Sequence, residues 1–208
     1  MTDETFILVP GAFNPPTIAH IKIWEVLLEK YPDASILYLP SRDEYITNWK
    51  EQVKPIPYLD RCNLLSDAIT NMSDVAVCTV EKTDVITGKT YDVVNWFKTH
   101  YKGFNIVICL GDDKLKELEY WYKGRELITE NNFVILSRNG QRNLDWYDLS
   151  FHEHLQNIKF PYADISSTKV RKAYLNGELD TVKDDIPANV YDYLKSHNDL
   201  FKESDNNV

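Results

Sequence analysis

The sequence predicts an α/β fold: an open parallel sheet with helices on both faces. Short apolar runs alternate with longer segments of helical period along the whole chain. The first four runs are apolar at nearly every position, as strands are when both faces of the sheet are covered. No internal repeat, low-complexity tract or Gly/Ser-rich linker breaks the order. Residues 1–208 therefore read as one domain, with 164–201 as its C-terminal helical part.

In chain order, the expected strands are Phe6–Val9, Ser35–Leu39, Val75–Val80, Asn105–Leu110, Phe133–Ser137 and Ile158–Phe160. After the first, Ile18, Ile21, Trp24 and Leu28 share one helical face. Ahead of the third, Leu64, Leu65, Ala68, Ile69 and Met72 share another. Near the end, Val170, Ala173 and Tyr174 mark a helix that Gly177 stops. The stretch Ile186–Phe201 reads as a closing helix, with Pro187 suited to its first turn.

Composition narrows the function. Lys and Arg total 23 against 32 Asp and Glu, a net charge of −9. An acidic surface does not attract polyanions over its whole extent, so sequence-independent nucleic-acid binding is not expected. A small phosphorylated ligand needs only a few local donors. The three cysteines Cys62, Cys78 and Cys109 form no C-x-x-C pair, and Cys78 and Cys109 read as small buried hydrophobes in strands. The run Phe6–Val9 is too short for a signal segment and no run reaches the length of a membrane span, so a reduced, cytoplasmic protein without membrane attachment is expected.

Ligands of such sheets gather at the carboxyl ends of the strands, so the residues after each strand carry the information. Strand one runs into Pro10-Gly11-Ala12-Phe13-Asn14-Pro15-Pro16-Thr17-Ile18-Ala19-His20. Gly11 permits close backbone approach, and the two prolines stiffen the loop and delay the helix. Thr17 is a candidate N-cap, and His20 falls in the first turn, where free N–H groups form an anion site. After strand six, Ile165-Ser166-Ser167-Thr168-Lys169-Val170-Arg171 opens a second helix with hydroxyls, N–H groups and the forked donor set of Arg171. Either motif alone also describes an ordinary capped helix.

Together, a G-x-F-x-P-x-T-x-x-H loop near the start and I-S-S-T-x-x-R near the end resemble the nucleotidyltransferase superfamily, a Rossmann-like fold. More narrowly they resemble the nicotinate or nicotinamide mononucleotide adenylyltransferases, over nearly the whole chain. The resemblance implies transfer of AMP from ATP to the phosphate of a pyridine mononucleotide, giving the NAD-type dinucleotide and pyrophosphate. By resemblance Gly11, Ala12, Phe13, Thr17 and His20 face ATP, as do Gly111, Asp113, Ser166, Ser167, Thr168 and Arg171. Asn14, Tyr91 and Trp121 face the mononucleotide, with Trp121, in Leu118-Glu119-Tyr120-Trp121, stacking on the pyridine ring. His20, Arg171 and a loop lysine act on the reacting phosphates. That lysine is Lys50 or Lys54, with Lys50 taken as the candidate, in a basic stretch that includes Arg42 and Arg61.

Two positions depart from the family. Thr17 stands where many superfamily members carry the first His of H-x-G-H, although the eukaryotic-type mononucleotide adenylyltransferases carry T-x-x-H. Asp92, after Thr90-Tyr91, replaces the Thr of a bacterial S-Y-T. An Asp92 aimed at the ring substituent would repel a carboxylate and tolerate an amide, a weak lean towards nicotinamide.

Mg²⁺ is expected to arrive on ATP, with no metal ligand from protein side chains. His152-Glu153-His154 reads as solvated surface, since zinc takes three or four protein ligands. ATP and a pyridine mononucleotide are the expected partners, and the oligomeric state stays open, a homo-oligomer included. Rival readings are another nucleotidyltransferase with a different phosphorylated acceptor, a non-catalytic nucleotide sensor, and a tRNA-synthetase-like fragment, which the acidic charge disfavours.

Overall fold

The computed structural model describes residues 4–47, 54–82, 86–137, 155–162 and 164–202. Its order is β1 (Thr5–Gly11), α1 (Ile18–Lys30), β2 (Ala34–Pro40), the single turn α2 (Asp43–Tyr45), α3 (Tyr58–Ala68) and β3 (Val75–Val77). Then come α4 (Thr90–His100), β4 (Asn105–Gly111), the short α5 (Leu115–Leu118) and α6 (Gly124–Thr129), β5 (Asn132–Ser137) and β6 (Leu155–Lys159). Helices α7 (Ser167–Leu175) and α8 (Ala188–Ser196) complete the chain.

The six strands form one parallel sheet in the order β3-β2-β1-β4-β5-β6. Strand order reverses between β1 and β4, which pair from Thr5↔Asn105 to Leu8↔Ile108. The chain therefore leaves these neighbours in opposite directions, opening a crevice beyond their carboxyl ends. Alternate residues of the central strands feed two cores. Leu8, Ile108 and Leu110 join Val93, Phe97 and Phe133 on one face, while Ile7, Val9, Val107 and Cys109 join Leu27 and Leu65 on the other. A third cluster, including Ile56, Leu64, Val170, Val190 and Phe201, ties α7 and α8 to α3. Helix α3 serves two clusters because Leu64 and Leu65 point into different ones.

Central strands match the expected runs closely, and the edges differ. The third strand stops at Val77, after which Val80–Lys82 forms a 3-10 turn. Cys78 consequently lies past the strand and is half-buried, whereas Cys62 and Cys109 are buried. β3 lies at the sheet edge with β2 as its single neighbour, and its ladder stops at Tyr38↔Val77, which an apolar run alone does not reveal. At the other edge β6 begins earlier than expected, at Leu155, and Phe160 extends it by donating its N–H to Ser137. The closing helix is shorter than Ile186–Phe201, with Pro187 as its N-cap and Ser196 as its last residue. Beyond it the chain turns back to bury Leu200 and Phe201, a larger apolar gain than another exposed turn would give. Among the described residues no helix is long and apolar enough to cross a membrane.

Candidate active site

The loop after β1 is rigid and inward-facing. Ala12, Phe13, Asn14 and Thr17 are buried, and a Cβ on Gly11 would stand 2.9 Å from the Phe13 ring. Glycine is thus required at position 11 to let Phe13 fold over the strand end. Thr17 caps α1 as expected. Its hydroxyl accepts from the His20 N–H at 3.4 Å, and its own N–H donates to Nδ1 of His20 at 3.0 Å. Because a backbone N–H can only donate, Nδ1 is an acceptor, and a neutral imidazole then carries its proton on Nε2. The ring is held further by edge contact with Phe13 at 4.9 Å, and the His20 carbonyl accepts from the Tyr38 hydroxyl at 2.7 Å. Burial pushes the Tyr38 pKa far up, so that hydroxyl stays a donor.

The start of α7 meets this loop directly. Ser166 caps the helix through the Lys169 N–H, Ser167 Oγ donates to the Pro15 carbonyl at 2.8 Å, and Arg171 Nη1 donates to the Asn14 carbonyl at 2.8 Å. Arg171 Nη2 also donates to Thr168 Oγ1 at 3.2 Å. Two segments about 150 residues apart in sequence, joined by these contacts (|i−j| of 152 and 157), therefore share one rim. The helix N-terminus lies there with an arginine and the His20 turn, an arrangement suited to several phosphates at once.

Arg61, grouped at the sequence level with the basic phosphate loop, is instead wholly buried. It donates to the carbonyls of Ile56 (2.8 Å), Ala12 (2.6 Å) and Ser41 (2.7 Å) and to Asp43 Oδ1 (2.7 Å). These four bonds lock the loops after β1 and β2 to α3. The physical reason is satisfaction: three buried carbonyls converge where only a forked guanidinium can serve them all. Asn14 is also turned inward, its Oδ1 accepting from the Ile56 N–H at 2.9 Å. Lys54 sits near the C-terminal segment, its N–H donating to the Lys202 carbonyl at 3.0 Å. Lys50 and His152-Glu153-His154 lie outside the described residues.

Beside this rim a cavity of about 510 Å³ opens over β1 and β4, within the usual range for a small-molecule site. Gly11 and Ser41 line it from one side, Lys89 and Thr90 from another, and Tyr120, Trp121 and Tyr122 from a third. Of the expected mononucleotide residues, Trp121 lines the cavity; Tyr91 stands behind it, its ring edge-on to Tyr122 at 6.2 Å. Asp113 lies at the exposed edge, its Oδ1 so close that a Cβ on Gly111 would fall within 2.5 Å of it. Asp92 faces elsewhere: its carboxylate accepts from the Thr87 hydroxyl, and it lines a separate groove with Asn95 and Trp96. The lean towards an amide substrate drawn from Asp92 therefore loses its basis.

Sequence reasoning missed Tyr45, Glu81, Lys89 and Lys114 on the cavity wall. Lys114 had a usable signal, being adjacent to Asp113 after β4; Glu81 had none, since Val80-Glu81-Lys82 reads as the end of a strand. Among the described residues no group of three or more His, Cys, Asp or Glu side chains could hold a metal.

Comparison with known proteins follows the same line. Residues 8–173 match the cytidylyltransferase-like family. A protein of Acholeplasma laidlawii (strain PG-8A), described as a probable nicotinate-nucleotide adenylyltransferase, is 30% identical over 194 residues, covering 93% of this chain and 95% of that one. The fold resembles Plasmodium falciparum nicotinic acid mononucleotide adenylyltransferase complexed with NaAD, with a TM-score of 0.70 at 22% identity, covering 94% of this chain and 96% of the other. The same enzyme complexed with APC gives a TM-score of 0.68 at 21% identity, with the same coverage.

Arg61→Met tests the buried clamp. Stranding its acceptors and Asp43 should lower unfolding free energy by about 3–5 kcal/mol, read as a reduced urea midpoint. Arg61→Lys should recover little of it, because an ammonium cannot fork; an unchanged midpoint in both would show that the clamp contributes nothing.

Proposed function

We propose, for a chain that belongs to the cytidylyltransferase-like family, that it is a nicotinate or nicotinamide mononucleotide adenylyltransferase, transferring AMP from ATP to the mononucleotide and releasing pyrophosphate. The observation that carries the reading is the junction of the His20 turn with the α7 N-terminus through Ser167 and Arg171. A triphosphate lying along that rim would meet the imidazole at one end and helix N–H groups at the other.

An oxygen of the mononucleotide 5′-phosphate attacks the α-phosphorus in line. The bond from that phosphorus to the bridging oxygen breaks, and pyrophosphate departs with the electron pair. No protein nucleophile is needed, so the chain's contribution is position and charge stabilisation. His20, neutral with its proton on Nε2, donates to an α-phosphate oxygen as charge builds there. It does so as a dipole and not as a cation, which fits a site where Thr17 replaces a second histidine. Ser167, Thr168 and Arg171 receive the leaving phosphates at the start of α7, where the helix dipole favours anions. Lys50 or Lys54 would add a cation on the opposite side.

The first loop fits close backbone approach to the α-phosphate, since Gly11 at the end of the strand lines the cavity. Asp113 at the exposed edge suits the adenosine hydroxyls. Trp121 offers a flat face to the pyridine ring, with Tyr120 and Tyr122 at the mouth. Mg²⁺ carried on the triphosphate would supply further charge neutralisation and would need no cage of protein carboxylates. The rival of a different phosphorylated acceptor is less well supported, because an aromatic-walled cavity suits a planar ring better than a flexible chain.

Replacing His20 by Ala should lower kcat by ~10² to 10³ with the fold retained. Full activity in that variant would remove His20 from the mechanism. For Trp121→Ala the expected signature is a mononucleotide KM raised roughly tenfold or more with the ATP KM little altered. Equal losses for both substrates would contradict the stacking role.

A further inference from the structure

One wall residue is chemically out of place. Glu81 is only 4% exposed, yet it lines both the large cavity and a small recess formed with Leu8, Leu39, Val93 and Ile108. The positive charges nearby are committed elsewhere. The Arg42 guanidinium donates to the carbonyls of Glu81 and Ile86, and the Arg61 guanidinium to Asp43. On the cavity wall, Lys89 Nζ lies 4.1 Å above the Tyr122 ring, while Lys114 pairs with Glu117 at 3.0 Å and Asp113 at 3.5 Å. Among the described residues no ion pair reaches the Glu81 carboxylate. Its ionised form is favoured by the Arg42 backbone N–H and by the charges of Arg42 and Arg61, but burial outweighs them and its pKa is pushed up to about 8.

A carboxyl in that position has two forms with different recognition. Neutral, it offers one O–H donor and one carbonyl acceptor, which matches a carboxamide at both points and gives a charge-assisted bond to a carboxylate. Ionised, it still accepts from a carboxamide N–H but faces a second carboxylate with like charge in a poorly solvated recess. The two pyridine mononucleotides differ in this one group. We propose that Glu81 reads the ring substituent, admitting a nicotinate carboxylate only while it holds a proton and a nicotinamide carboxamide in either form. This rests on the ring lying in the Trp121 cavity, as the proposed function requires. The other groups around Glu81 do not imitate the effect. Burial raises the pKa values of Tyr45, Tyr58, Cys62 and Cys78, keeping them uncharged at neutral pH, and the carboxylates beside Lys114 raise its pKa, keeping it charged.

The test is kcat/KM for both mononucleotides with saturating ATP between pH 6.5 and 9.5 (working bounds of about one and a half units either side), in wild type and in Glu81→Gln. In wild type the nicotinate-to-nicotinamide ratio should be flat below the Glu81 titration and fall by about tenfold per pH unit above it. In E81Q, whose amide keeps a donor and an acceptor, the ratio should stay flat throughout. A purely structural Glu81 would change both substrates alike, so a ratio independent of pH in wild type overturns the proposal. A ratio that still falls in E81Q also overturns it. Should E81Q be inactive with both substrates, the wild-type ratio decides alone. Pyrophosphate release with neither mononucleotide, in wild type, would instead overturn the proposed function itself.

Discussion

The architecture of the site depends on a pair of hydrogen bonds made across the chain: Ser167 to the Pro15 carbonyl and Arg171 to the Asn14 carbonyl. They fix the N-terminus of α7 against the turn that carries His20. Without them a helix dipole, an arginine and an imidazole would be separate surface features, each too weak to orient a triphosphate. Their acceptors are backbone carbonyls in a loop already buried at Ala12, Phe13 and Asn14, so the junction is rigid on both sides. Arg61 extends the same logic inward by holding Ala12 and Ser41 together.

This arrangement reconciles an acidic protein with an anionic ligand. A net charge of −9 spread over the surface gives no long-range attraction for polyanions, yet the rim collects directed donors whose reach is a few ångströms. Under the proposed mechanism, oriented N–H groups, the His20 imidazole and the Arg171 guanidinium would together meet phosphate charge at short range. The sheet supplies the location. Reversal of strand order between β1 and β4 opens the crevice, and the loops after these strands border it.

What could be read in the sequence follows from how local each feature is. The central strands, the Thr17 cap and the helix opened by the Ser166-Ser167-Thr168 hydroxyls are set by neighbours within a few residues, and the structure has them where the sequence indicated. Features that depend on tertiary placement were not legible. Position at a sheet edge shortened β3 and left Cys78 half-buried, and the return of Leu200 and Phe201 truncated α8. Arg61 counted as part of a basic stretch beside the phosphate loop; convergence of carbonyls from three segments draws it inside. Asp92 and Glu81 make the complementary pair: the acid suspected of facing the ring substituent turns away, and one with no motif around it lines the cavity.

The central claim is that one triphosphate bridges the His20 turn and the start of α7. A crystal structure with a non-hydrolysable ATP analogue tests it most directly. His20 Nε2 should then lie about 3 Å from an α-phosphate oxygen, with the terminal phosphates on the N–H groups and hydroxyls of Ser167 and Thr168. A triphosphate held by only one of the two segments, with the other left in solvent, would contradict it.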